Sequence, residues 1–147
     1  MTYRAPFLLP LIALSLAACG SQAESEADAL ADAVEQQANA DALAAGSEIA
    51  ALGMTEAQLL EANLVTPSGD DLGDVEQIRR DASGAVEALV VELDDTDPDR
   101  WVAVPISGLS ARRDGDDVDV QTSMTAADLA ALPDAQMTMP VAPTPAG

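Results

Sequence analysis

Almost all the residues of this chain that are able to do chemistry are carboxylates. The 147 residues carry 26 acids against 6 arginines, with no lysine and no histidine, for a formal charge of -20. Asp95, Asp97 and Asp99 stand at the alternate spacing with which a calcium loop surrounds a hard cation with hard oxygen ligands. The rest of such a loop is missing. Counting from Asp95, Arg100 stands where the loop needs its glycine and Ile106 where it needs a bidentate glutamate. A solvated hairpin loop is therefore the expectation, with Asp95, Asp97 and Asp99 as weak metal candidates only. Asp114, Asp116, Asp117 and Asp119 read in the same way, as a turn and the exposed face of a strand. Paired carboxylates also serve glycosidases, but those sites lie in clefts floored by aromatic rings, and the aromatics here are Tyr3, Phe7 and Trp101 alone. Zinc and haem sites lack their imidazoles and thiolates, serine or cysteine nucleophiles lack a base, and a P-loop lacks its lysine. A nucleic-acid backbone would be repelled. The expectation is a protein that is no enzyme, with no resident cofactor, no small-molecule substrate and no nucleic-acid partner.

One residue has a distinct chemistry. The single cysteine, Cys19, follows Leu16, Ala17 and Ala18 at the end of a 14-residue apolar stretch, residues 5–18, that begins just after Arg4. That stretch is shorter than the roughly 20 residues needed to cross a bilayer and reads as a signal peptide over residues 1–18. Leu16-Ala17-Ala18-Cys19-Gly20 resembles the bacterial lipobox, whose small residues admit the lipoprotein signal peptidase and whose cysteine carries the lipid. The resemblance implies a diacylglycerol and an N-acyl chain on Cys19 and a mature chain of 26 acids and 5 arginines, net -21. The alternative is an ordinary secretory peptide that leaves Cys19 a free thiol, a liability in an oxidising compartment. Acyl chains hold such a protein on a membrane, each buried methylene contributing about 0.8 kcal/mol. In the enteric sorting rule an aspartate after the cysteine retains a lipoprotein in the inner membrane. Gly20 and Ser21 stand there instead, which points to the cell envelope, facing the periplasm, at the outer membrane where the cell has one.

These residues must be positioned by the segments that follow. Residues 19–53 form the lipidated terminus and an acidic, alanine-rich stretch of high helix propensity, whose apolar residues Leu30, Val34 and Leu43 recur only loosely. A fluctuating helix or a disordered tether is expected, one that sets distance: about 22 helical residues span roughly 33 Å. Residues 134–147, with Pro140, Pro143 and Pro145, read as a disordered proline-rich tail. The folded unit is placed at residues 54–133, between two helix starts, Met54-Thr55-Glu56-Ala57-Gln58-Leu59 and Met124-Thr125-Ala126-Ala127-Asp128-Leu129. In each, a threonine N-cap faces an N3 side chain able to complete a capping box, with an apolar staple around it. Strands are expected from Asn63 to Thr66, Asp71 to Arg79, Ala85 to Leu93, Trp101 to Ile106, Leu109 to Arg113 and Val118 to Thr122, joined by turn residues such as Asp81-Ala82-Ser83-Gly84 and Asp114-Gly115. Leu72, Val75 and Ile78 recur by three, which a flat strand cannot place on one face, so a bulge or bend is expected near Gly73. Leu89-Val90-Val91 also interrupts alternation. Apolar residues on both sides of a curled sheet suit a small closed barrel. With Val102 and Val104 inward, Trp101 points outward, as a cap or as a candidate partner contact.

The run Val65 to Leu93, with Gly69-Asp70-Asp71-Leu72-Gly73-Asp74-Val75-Glu76 and then Ser83-Gly84-Ala85-Val86-Glu87-Ala88-Leu89-Val90-Val91, resembles the PRC-barrel domain. Val102-Ala103-Val104-Pro105-Ile106 is similar to its later Val-Pro strand, and Leu129 to Pro133 to the short helix that closes many bacterial members. The likeness covers roughly residues 55–134. It departs at Asp94 to Arg100, where an acidic loop replaces a glycine-rich approach. It implies an all-β fold, a small PRC-type β-barrel flanked by short helices, and a non-catalytic module for protein interaction or assembly, acting through an envelope partner or self-association. Two other readings stay open: an acidic envelope stress protein or low-affinity divalent-cation buffer, and a component of a membrane assembly. So few large side chains in some 80 residues imply marginal stability.

Overall fold

The computed structural model describes residues 21–138. The calls on Leu16, Ala17, Ala18 and Cys19, and on the tail beyond residue 138, lie outside the described residues. The chain runs as α1 (Ser21–Ala45), β1 (Ile49–Ala51), β2 (Met54–Thr55), α2 (Glu56–Leu60), β3 (Asn63–Val65), β4 (Asp71–Arg80), β5 (Val86–Leu93), β6 (Trp101–Pro105), a 3-10 turn (Ile106–Gly108), β7 (Leu109–Asp114), β8 (Asp117–Thr122) and α3 (Ala126–Ala130). β1 and β2 form a small ribbon. The other strands make one mixed, open sheet in the order β6-β5-β4-β3-β8-β7, in which only β3 and β8 pair in parallel. The fold is β-rich with short helices, and β6 and β7 stand as the two ends of the sheet, joined through the 3-10 turn.

Two of the three helices begin as their residues dictate. Thr55 accepts from the Gln58 amide at 3.2 Å while the Gln58 side chain accepts from the Thr55 amide at 3.0 Å. Thr125 and Asp128 repeat the reciprocal pair. Each helix then buries a single leucine, Leu59 or Leu129, in the core.

β4 owes its period of three to two shifts of register. Against β3, Leu64 pairs with Gly73 but Val65 with Asp71, and against β5, Val75 pairs with Val91 but Gln77 with Val90. Each shift inserts one residue, so Leu72, Val75 and Ile78 all reach the same core while Asp74, Glu76 and Gln77 are left to the other face. That core joins Met54, Leu59, Leu64, Leu89, Val91, Val102, Val104, Val120 and Leu129. It is built of aliphatic residues of modest size.

Leu89-Val90-Val91 has a different cause from the curling expected of it. All three are completely buried, but Leu89 and Val91 lie in the main core while Val90 lies in a second cluster with Val34 and Met137. The alternation is intact. The strand reads as a continuous apolar run because both of its faces are covered.

What covers the outer face was expected to stand clear of the folded unit. α1 is a continuous helix of 25 residues, the helical alternative, seated on the sheet by Val34 against Val90, with Ala38 and Ala42 buried one and two turns on along the same face, where the helix packs on α2 as well as β4. Its second half is a layer of the fold instead of free length. Residues 134–138, placed in the disordered tail by their sequence, form a strap. Asp134 bridges to Val102, the Ala135 amide donates to the Trp101 carbonyl at 2.7 Å, and Met137 is buried against Val90. Among the described residues no helix is long and apolar enough to cross a membrane.

Candidate functional site

The outer face of β4, β5 and β6 gathers the chemically distinctive groups. Asp74 of β4 pairs in register with Glu92 of β5, which pairs with Trp101 of β6. The bulge then brings Glu76 to the same face, and α1 lays Glu35 across it. A groove of about 290 Å³ between helix and sheet is lined by Glu35, Ala38, Asn39, Glu61, Asp74 and Glu76. Like charges directly across a strand pair repel. Among the described residues the ion pairs of Arg80, Arg100 and Arg112 run elsewhere, to Glu56, Asp134 and Asp114. Arg79 donates to the Gln136 carbonyl at 2.6 Å.

The electrostatic consequence is a raised proton affinity. Burial, followed by the carboxylates of Glu35, Glu92 and Asp74, pushes Glu76 up to about 7 from its ordinary 4.5. Burial and then Asp99 raise Glu92, against the Trp101 indole N–H, which donates to Glu92 Oε2 at 3.2 Å and favours the charged form. Asp94 is raised by burial and by Asp71, Asp74 and Asp95.

Trp101 points away from the core that holds Val102 and Val104, as alternation demands. It is half-buried against the cluster of Val34, Val90 and Met137. One side remains open, where Thr96, Asp97, Pro98, Asp99 and Arg100 surround a shallow depression beside the ring. Arg100 closes its far wall, donating to Asp134 Oδ1 at 2.7 Å and to the Ala130 and Leu132 carbonyls at 3.1 Å.

No known protein family matches this sequence, and no curated protein matches it.

Asp95, Asp97 and Asp99 do lie together in one loop, but the loop does not converge them. Among the described residues no three acidic side chains form a set able to hold a metal ion. Asp95 takes a left-handed backbone at φ 57°, and Asp99 lies close enough to Glu92 for its charge to raise the Glu92 carboxyl. Asp114 and Asp117 pair across the β7–β8 turn with Asp116 exposed beside them, and Asp119 lies half-buried on β8. The carboxylates that sequence reasoning missed are Glu35, Asp74, Glu76 and Glu92. Their signal was the period of three in β4, which turns two acidic positions toward the face that a helix covers.

Proposed function

We propose that this protein is a lipid-anchored envelope protein whose PRC-barrel-like domain acts as a non-catalytic interaction or assembly module at the outer membrane. The observation that carries this reading is the link between Cys19 and the sheet. α1 begins at Ser21 and is seated on the sheet by Val34, so whatever holds Cys19 also holds the sheet. From Ser21 to Val34 the helix rises about 20 Å, a shorter stand-off than the sequence alone suggests, which keeps the sheet close to the lipid surface.

The PRC-type reading is supported by the order of the strands, the turn at Asp81 to Gly84, the glycine at position 73, the Val104-Pro105 strand end and the α3 segment that precedes Pro133. The interaction role is supported by the open side of Trp101. An indole flanked by the exposed residues Asp97, Pro98 and Asp99 and by Arg100 offers a rigid apolar surface with polar margins, the composition of binding hot spots.

In-cell crosslinking of the lipidated protein, followed by detergent extraction and mass spectrometry, tests the reading against a Cys19→Ser control. It holds if a partner, or a second copy of the chain, is recovered with the acylated form and lost both in the control and on Trp101→Ala. Absence of an acyl chain on Cys19 would remove the anchor, and equal recovery by the Trp101→Ala variant would remove the proposed contact.

A further inference from the structure

The seat of α1 on the sheet is weak in apolar area and dense in negative charge. Val34, Ala38 and Ala42 are its buried residues, and two of these are alanines. Beside them Glu35 projects into the groove that also holds Glu61, Asp74 and Glu76. The charged groups facing Glu76 are Glu35 from α1, Glu92 from β5 and Asp74 from its own strand, with Glu61 of α2 in the same groove. All have the same sign. A hydrophobic contact this small is of the same order as the repulsion of several carboxylates at the edge of a low-dielectric interface.

We propose that α1 is a proton-controlled latch, docked on the outer face of the sheet while the Glu35–Glu76 groove carries a proton and released when its carboxylates are all ionised, uncovering Val90, Trp101 and Met137. The sign follows from the docked state's higher proton affinity. Glu76 titrates near 7 when covered and near its ordinary 4.5 when exposed, so the docked state binds more protons throughout that window. Docking is strongest below about pH 4.5, weakens as pH rises, and levels off above about 7. Because Glu76 is only half-buried and solvent screens it, the ratio of docked to released helix falls by about tenfold across the window, less than the shift alone would give. This device stands apart from the anchor and the partner proposed above.

Trp101 is the chain's one tryptophan and lies in the covered cluster, so it reports the latch directly. The full chain in detergent micelles is titrated from pH 5 to 8 by tryptophan emission, with far-ultraviolet circular dichroism of the sheet in parallel. The expected result is a red shift that develops as pH rises from 5 and levels off above about 7, with the sheet signal retained. Glu76→Gln is expected to hold the blue-shifted emission across the range, and Glu35→Gln to move the midpoint down. Glu92→Gln separates local quenching by the Trp101 hydrogen-bond partner from helix release, since release persists in it. Emission independent of pH, a red shift unchanged in Glu76→Gln or abolished by Glu92→Gln alone, or loss of the sheet together with the shift would each overturn the latch.

Discussion

Gly73 sits at φ +149°, paired with Leu93 at one end of the β4–β5 ladder. A β-carbon there would run into the Glu92 carbonyl oxygen, which belongs to backbone and has no rotamer by which to yield. Gly73→Ala is therefore expected to lower stability by about 3 kcal/mol, combining backbone strain with overpacking, and urea denaturation followed by circular dichroism measures it. Arg100 makes a different single-residue contribution. Its guanidinium takes up the Ala130 and Leu132 carbonyls at the end of α3 and the Asp134 carboxylate together. Arg100→Lys keeps the charge but loses the planar fork. Both it and Arg100→Ala should cost about 1 to 2 kcal/mol, with hydrogen exchange at the Ala135 amide rising first because that amide ties the strap to Trp101.

At the scale of elements, Val34 decides whether α1 is a layer or a tether. Its complete burial contributes about 2 kcal/mol, and an aspartate in its place would face Val90 and Met137 with no partner. Val34→Asp should release the helix while the sheet persists, with cleavage at Glu35 by a glutamyl endopeptidase at least tenfold faster and the Trp101 emission red-shifted. Loss of the sheet signal alongside would make α1 part of the cooperative core. The strands and the two capped helices were legible because their signals are local: Thr55 and Gln58, Thr125 and Asp128, Asp114 and Gly115 each specify their own turn within a few residues. α1 was legible as a helix but not as a cover, because alanine at 38 and 42 carries no hydrophobic signature apart from the surface it meets. The strap was hidden for a related reason. Nothing within residues 134–138 shows that Met137 will find Val90 or that the Thr138 carbonyl will accept from Gln77, 61 residues away in sequence. β1 and β2 were missed because a ribbon of three and two residues is below what periodicity resolves. Of the candidate site, Trp101 was placed correctly by alternation, whereas its acidic surroundings depend on two bulges, of which the period of three in β4 announced the one near Gly73 but not the one at Glu76.

For the whole molecule, charge sets the direction in which stability responds to pH. Two sets of carboxylates oppose each other. Glu76, Glu92 and Asp94 are raised in the fold, chiefly by burial, so they stabilise it progressively as pH falls through their folded values toward the ordinary 4.5 and 3.8. Asp70, Asp81 and Asp128 are lowered by hydrogen bonds from Ser68 and Thr66, from Ser83 and from Thr125, so they stabilise the fold above 3.8 and lose that contribution as pH falls below it. The first set rewards acid down to about pH 4.5 and the second penalises it below about pH 4. Stability is therefore expected to peak between about pH 4 and 5, below the neutral range in which most proteins are most stable. From pH 8 to 5 the gain from Glu76 alone should be about 1.5 kcal/mol once solvent screening is allowed for. Urea midpoints measured at fixed ionic strength from pH 3.5 to 8 decide it, and a midpoint that rises steadily toward pH 8 would show that the carboxylates on the outer face are no more protonated in the fold than in the unfolded chain. Salt provides the cross-check. At a formal charge of -20 the folded chain repels itself, and shortening the Debye length from about 8 Å to about 3 Å should raise the midpoint at pH 8 more than at pH 5, where part of that charge is already neutralised.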